Sequence, residues 1–410
     1  MPSRRQFLTA AAAASLANPA WGKSIPSSYP YTEFEARVAR RDFRGITKDV
    51  LPTPCMVVDL AMFQQNVNTM AATAKTNGIN VRPHVKIHKS VDVAKYQIEK
   101  GAIGLTCATI AEAELMSGAG IQNVLWTKQP ASANNIARAT ALSKKDPTFM
   151  FVADDPQVVD WVEEAATAAK TKLKIAVSVN ASMDRQGIEA GPPALRLAQK
   201  ISSSQRIEFQ GFMAYSGSAA HTHGWETRRT RSANDLAGVR ETIGLARKAG
   251  LPVNIVSGGS TGTYNIDHDN GLTELEAGSY VFMDTAYFGI GSKSGDATYS
   301  DFLGSLTVLA TVDAKLHPGL VTTDYGNKAM VRPTDKVKGM PWLDVGTQGA
   351  EYGALKWKDG DGDLKLGQRV EIYCSNLDMS TNCYDRYYVA KGDQIVDVWP
   401  IMGRSGAAQR

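Results

Sequence analysis

From about residue 54 onward, short apolar runs alternate with stretches long enough for a helix: "PCMVVD", then 60–77; "NVRPHV", then 90–100; "AIGLTCA", then 110–118; "NVLWTK", then 132–144. The series continues with "FMFVAD", "LKIAVSVN", "IEFQGFMAYSG" and "VNIVSGG", the last of them after a helical segment over 230–249. Strands covered on both faces read as nearly unbroken apolar runs. Eight such runs with helix-length connections predict a (β/α)8 barrel of the TIM type over 51–300. Past residue 300 the texture changes to "LTVLATVDAKL", "GLVTTDYG", "QRVEIYCS" and "RYYVAKGDQIVDVWPI", alternating patterns split by Gly and Asp turns. That predicts a mainly antiparallel β domain over 301–410, on which the segment 24–50 is expected to pack. "KDGDGDLKLG", at 358–367, has the look of a calcium loop but lacks its ligand spacing and closing Glu, so it is read as a hairpin turn.

Residues 1–23 follow another pattern. Arg4 and Arg5 precede Phe7-Leu8, an alanine-rich run, and small residues around Ala17 and Ala20. That order resembles a twin-arginine export signal, and the run is shorter than the roughly 20 residues that span a bilayer. The expectation is a periplasmic protein with no membrane segment once the signal is removed. Forty-five Lys and Arg against forty-one Asp and Glu leave a net charge of only +4, and no basic block or aromatic-interleaved stripe points to nucleic acid. The four cysteines lack CxxC spacing, which argues against a zinc ribbon. Cys55 and Cys107 sit in strand-like runs, and an oxidising compartment permits a disulfide between Cys374 and Cys383.

The chemistry begins in "VRPHVKIHKS", which gathers Arg82, His84, Lys86, His88 and Lys89 at a strand end. Barrel strands point their C-terminal ends at the active site. Like charges nearby favour the neutral, nucleophilic form of an amine, which is what a Schiff-base lysine needs. "VSGGSTGTY" follows the last counted strand, where exposed backbone N–H groups and hydroxyls suit a phosphate. A strand-end lysine paired with a phosphate loop suggests pyridoxal phosphate. The run "TRRTRS", at 227–232, is read as a solvated helix start.

"TPCMVVDL", "RPHVKIHKS", "GFMAYSGSAAH", "GGSTGTY" and "AGSYVFMD", in that order, resemble the D-threonine aldolase/D-serine dehydratase family over about residues 50–405. That family has the alanine-racemase-like architecture, a barrel followed by a β domain, and uses pyridoxal 5'-phosphate. The resemblance implies that Lys86 holds the cofactor, with its cationic neighbours surrounding that anion and tuning the amine. It puts Arg185 near the pyridoxal ring oxygen and makes Tyr215 a pocket tyrosine. By the same resemblance Gly258, Gly259, Ser260, Thr261, Gly262 and Thr263 form the phosphate loop, Tyr280 helps at its phosphate end, and His221 acts on the substrate β-hydroxyl. Relatives carry a His-x-Asp/Cys pair that binds a divalent metal, where this chain has Asn376 and Asp378. Those are hard oxygen ligands, better suited to magnesium, manganese or calcium than to zinc. The neighbouring "EYG", at Glu351, Tyr352 and Gly353, also departs from the pattern of relatives.

The implied activity is retro-aldol cleavage of a D-3-hydroxy amino acid to glycine and an aldehyde, in a homodimer. Dehydration of D-serine or 3-hydroxyaspartate and amino-acid racemisation are alternatives on the same cofactor. A non-catalytic protein that binds the cofactor or an amino acid is the alternative of another class, and retention of both Lys86 and His221 argues against it.

Overall fold

The computed structural model describes residues 31–331, 335–358 and 364–404; the proposed export signal and most of the acidic turn near 360 lie outside them. Two sheets organise the chain. The first is parallel and eight-stranded: β2 (Asn80–Val81), β3 (Leu105–Cys107), β4 (Val124–Trp126), β5 (Met150–Ala153), β6 (Leu173–Ser178), β7 (Ile207–Ala214), β8 (Ile255–Gly258) and β9 (Glu274–Leu275). β1 (Cys55–Asp59) lies elsewhere. The two ends of the parallel sheet meet through a bridge between His84 and Thr106, with Ile103 N donating to Val81 O at 2.9 Å. Leu125, Met150, Val152, Ala176, Met213 and Ile255, drawn from β4 to β8, form a separate buried cluster of the parallel sheet.

The second sheet contains β10 (Leu306–His317), β11 (Leu320–Thr323), β12 (Lys336–Val337), β13 (Asp344–Thr347), β14 (Gly353–Lys356), β15 (Arg369–Tyr373), β16 (Arg386–Lys391) and β17 (Gln394–Pro400). β10 pairs with β15 through its first half and with β11 through its second, which closes β10, β11, β14, β13, β12 and β15 into a ring. Register shifts between Val312, Ala314 and His317 bend the long strand enough to serve both partners. The helix Tyr31–Ala39 rests on this sheet: Phe34 lies 6.1 Å from the Tyr388 ring, and Glu35 accepts two hydrogen bonds from Arg386 at 2.8 and 2.9 Å.

The strand count needs one correction. β1, expected as the first barrel strand, belongs to the second sheet, antiparallel to β10 and parallel to β16. Its first four residues are all buried, so a central strand of one sheet had the same apolar signature as a strand of the other. The eighth barrel strand is β9, two residues long like β2 but with the charged Glu274 as one of them, so no apolar run marks it. The glycine-rich loop therefore follows the seventh barrel strand, and Lys86 follows the first. Among the described residues, no helix is long and apolar enough to cross a membrane.

Candidate active site

Past β2 the chain makes a short 3-10 turn, Val85–Ile87, begun by His84, whose Nδ1 accepts from Lys86 N at 3.3 Å. Val85 and Ile87 are buried on either side, so the turn is anchored and Lys86 projects from it into a cavity of about 840 Å³. Its amine lies 3.2 Å from Asp378 Oδ2, reached from the far end of the chain. Met213 in the barrel and Gly259, Ser260 and Thr261 beyond β8 line the same cavity, as do Arg185, Tyr215 and His221.

The cations around Lys86 do not converge on it, contrary to the sequence expectation. Arg82 is buried in a two-bond ion pair with Glu274, at 2.7 and 3.0 Å. His88 is fully buried, accepts from Ser90 N at 3.1 Å, and is pushed down to about 3 by burial and then by Lys89. Lys89 donates to Asp378 O at 2.7 Å, to Thr381 Oγ1 at 2.8 Å and to Lys86 O, and burial pushes it down to about 8. Only His84 and Lys86 of the five line the cavity, and burial followed by the Lys86 charge holds His84 neutral. The crowding in sequence is resolved by sending the arginine and the two lysines each to separate oxygens, while the two histidines accept backbone N–H groups.

On the opposite wall, the Arg185 guanidinium lies 5.8 Å from the Tyr215 ring centre, and burial pushes the Tyr215 hydroxyl up. His221 ends the short helix Gly217–Ala220 and packs its ring on Tyr287 at 4.3 Å between centres. Burial lowers the His221 pKa, while a hydrogen bond to the Ala286 backbone works against that shift. A lowered pKa leaves the imidazole free to accept a proton at neutral pH.

The glycine-rich loop divides in two. Gly259, at φ +76°, turns the chain into the cavity wall. Among the described residues, no acceptor takes the backbone N–H of Gly259 or Thr261. Such free N–H groups beside hydroxyls suit an anion. Gly258, Gly262 and Thr263 do not line the cavity: Gly258 ends β8, and Thr263 is buried, bonding Ser260 and Asp267 from behind. Tyr280 is also displaced from its expected place. Its ring is buried outside the cavity with its hydroxyl on Gln97 at 2.9 Å, and only its backbone reaches the loop, donating to Thr261 Oγ1 at 3.0 Å.

Several lining residues escaped the sequence reading, among them Thr127, Lys128, Gln186, Glu276, Asp284, Tyr287 and Ser375. Burial pushes Glu276 up to about 7, although Ser257 donates to it at 2.7 Å. Asp284 also rises to about 7, through burial and then the nearby Asp378. The legible signal was a carboxylate inside an apolar run, three times in "LTELEAGSYVFMD", where Glu274 is the one that pairs with Arg82. The run "TRRTRS" was misread: Arg228 on the helix Trp225–Asp235 is fully buried.

A cavity of this size, a lysine amine and a loop with unengaged N–H groups fit pyridoxal phosphate. The donors for a metal fit less well. Asn376 uses its side-chain oxygen to cap the helix Leu377–Ser380, accepting from Met379 N at 3.1 Å, and Asp378 faces the Lys86 amine. Among the described residues, no three His, Cys, Asp or Glu side chains stand together as a metal site. Cys374 and Cys383 are free thiols, one buried and one exposed, and the disulfide that the sequence permits does not join them.

Residues 58–286 match the family model for the alanine racemase N-terminal domain, and 305–390 match the putative serine dehydratase domain. A 3-hydroxy-D-aspartate aldolase from Paracoccus denitrificans (strain Pd 1222) is 30% identical over 371 residues, covering 88% of this chain and 94% of that one. A D-threo-3-hydroxyaspartate dehydratase from Delftia sp. (strain HT23) is 26% identical over 374 residues, covering 85% and 97%. The crystal structure of a D-threonine aldolase from Filomicrobium marinum superposes with a TM-score of 0.84 at 28% identity, covering 88% and 98%. Barrel and β domain thus recur together in proteins similar to this one along most of their length, and the chain belongs to the D-threonine aldolase/D-serine dehydratase-like family of the alanine racemase fold.

Proposed function

We propose that the protein is a pyridoxal-phosphate-dependent lyase that cleaves D-3-hydroxy amino acids to glycine and an aldehyde. The observation that carries this is the convergence of Lys86, His221 and the Gly259–Thr261 loop on one cavity. Lys86 would hold the cofactor through its amine, the loop would face its phosphate, and Arg185 and Tyr215 would flank its ring. Bound there, the cofactor supplies an electron sink for the pair left at Cα when a bond to that carbon breaks.

The chain's own side chains supply the rest. His221, with its pKa lowered and its ring packed on Tyr287, takes the proton of the substrate β-hydroxyl. As the O–H electrons form the aldehyde C=O, the Cα–Cβ bond breaks. A proton returns to Cα, directly or through solvent, and glycine leaves. Asp378 places its carboxyl group beside the Lys86 amine. With Asn376 and Asp378 engaged as they are, no step is routed through a divalent ion, and activity is expected to survive EDTA. Relatives that cleave and relatives that dehydrate 3-hydroxyaspartate both support a β-hydroxy D-amino acid as substrate. We further propose a homodimer exported to the periplasm. The residue 1–23 pattern supports the export, and size-exclusion chromatography with cell fractionation tests both.

Purified protein should absorb visible light through its bound cofactor, and Lys86→Ala should abolish both that band and turnover. D-Threonine should give acetaldehyde and glycine. Formation of 2-oxobutanoate and ammonia without acetaldehyde would replace cleavage by dehydration.

A further inference from the structure

The helix Trp225–Asp235 lies behind the cavity and contributes no lining residue. Arg228, Ser232 and Asp235 occupy positions i, i+4 and i+7, which share one helical face. Arg228 is 0% exposed, and its guanidinium donates to Gly262 O at 2.7 Å, Thr222 O at 2.9 Å, and Ile290 O and Gly291 O at 2.8 Å each. Among the described residues, no carboxylate stands within ion-pair distance of it. A buried cation met wholly by carbonyls is a costly arrangement that survives only if every contact is kept.

Those carbonyls belong to three segments that carry site residues: Thr222 follows His221, Gly262 follows Thr261, and Ile290 and Gly291 follow Tyr287. Beside the guanidinium, 5.7 Å away, lies the Tyr299 ring, whose hydroxyl donates to Thr261 O at 2.6 Å. The other two side chains of the face divide the work. Ser232 donates to Asp267, which also accepts from Thr263, whose Oγ1 accepts in turn from Ser260 N at 3.0 Å. Asp235 accepts from Ser216 and Ser218, each at 2.5 Å, at the start of the short helix that ends on His221. Loop and helix also touch directly, since a Cβ on Gly262 would come 2.0 Å from Ala220 O.

From this we infer that Arg228, Ser232 and Asp235 are positioning residues that hold the anion-binding loop and His221 in one rigid frame, Ser232 acting on the loop, Asp235 on His221, and Arg228 on both. The assignment rests on the proposed lyase reading for its kinetic consequences. Its mechanical part is independent of the reaction catalysed.

The test uses Ser232→Ala, Asp235→Ala and Arg228→Met in the full chain, with cofactor affinity from absorbance titration, kcat at saturating cofactor, and backbone hydrogen exchange in 216–223 and 259–263. Ser232→Ala should weaken cofactor binding roughly tenfold and speed exchange in 259–263 while kcat holds; Asp235→Ala should lower kcat by a similar factor and speed exchange in 216–223 while cofactor affinity holds. Arg228→Met should do both, and Arg228→Lys should recover part of each. If Arg228→Met does not fold, the two single variants still decide the matter. The inference is overturned if both single variants lower only the melting temperature, or if each changes the two segments alike. Should the wild-type protein take up no cofactor, the lyase reading fails, and the exchange pattern alone decides the positioning role.

Discussion

The segment Arg82–Lys89 disperses its basic side chains sideways, Arg82 onto Glu274, Lys86 onto Asp378, Lys89 onto oxygens of Lys86, Asp378 and Thr381. The helix Trp225–Asp235 sorts its arginines by depth instead. Arg228 is buried on four carbonyls, while Arg229 and Arg231 stay outside on Glu226 and Asp235. Both runs look like patches of positive charge in sequence, and neither acts as a patch. In each, the role of the buried arginine is set by oxygens from other elements, Glu274 for Arg82 and Gly262, Ile290 and Gly291 for Arg228. One segment thereby presents a single amine to the cavity, and the other stiffens the wall behind it.

The largest effect separating the two should come from Arg82→Met. It leaves Glu274 buried without its partner and is expected to cost about 3–5 kcal/mol in urea unfolding, most of it regained by adding Glu274→Leu. Lys89→Met should cost less, about 2 kcal/mol by the same measurement, because its acceptors are mainly neutral oxygens. A third way to sharpen the contrast is pH. Between about 3 and the ordinary value of 6.5, the unfolded chain binds a proton at His88 that the folded chain refuses. His88 therefore adds a stability loss as pH falls through that window, and the melting temperature of His88→Gln should fall less steeply there than that of wild type. The smallest effect belongs to the outer face of the helix: Arg229→Ala, which removes an exposed pair with Glu226, should change stability by less than about 0.5 kcal/mol. A loss at Arg229 comparable to that at Arg82 would erase the distinction by depth.

Periodicity made seven of the eight barrel strands readable, because each lies in a short apolar run and a helix-length stretch follows the first six of them. β9 was not readable: it is as short as β2, and one of its two residues is the charged Glu274. β1 was readable as a strand and misplaced as to sheet, since burial on both faces looks the same in either. In the site, Lys86, Arg185, Tyr215, His221 and Gly259 to Thr261 were named from motifs and do meet. Tyr280, Gly258, Gly262 and Thr263 lie in the same motifs, yet their side chains or Cα positions face away, because a motif fixes neighbourhood along the chain and not direction. Asp284 and Glu276 left a trace as carboxylates within an apolar run, but only folding set them against the cavity.

The linear order of residues settled the class of fold, the strand-end lysine and the glycine loop, since apolar period and local turn chemistry act over a few residues and leave their mark in any short window. Which strand joins which sheet, which arginine loses its water, and which carboxylate faces Lys86 were decided by the tertiary structure alone. Those outcomes depend on hydrogen-bond partners and desolvation contributed by segments hundreds of residues apart, as in the pairing of β1 with β16 and the bond from Lys89 to Thr381.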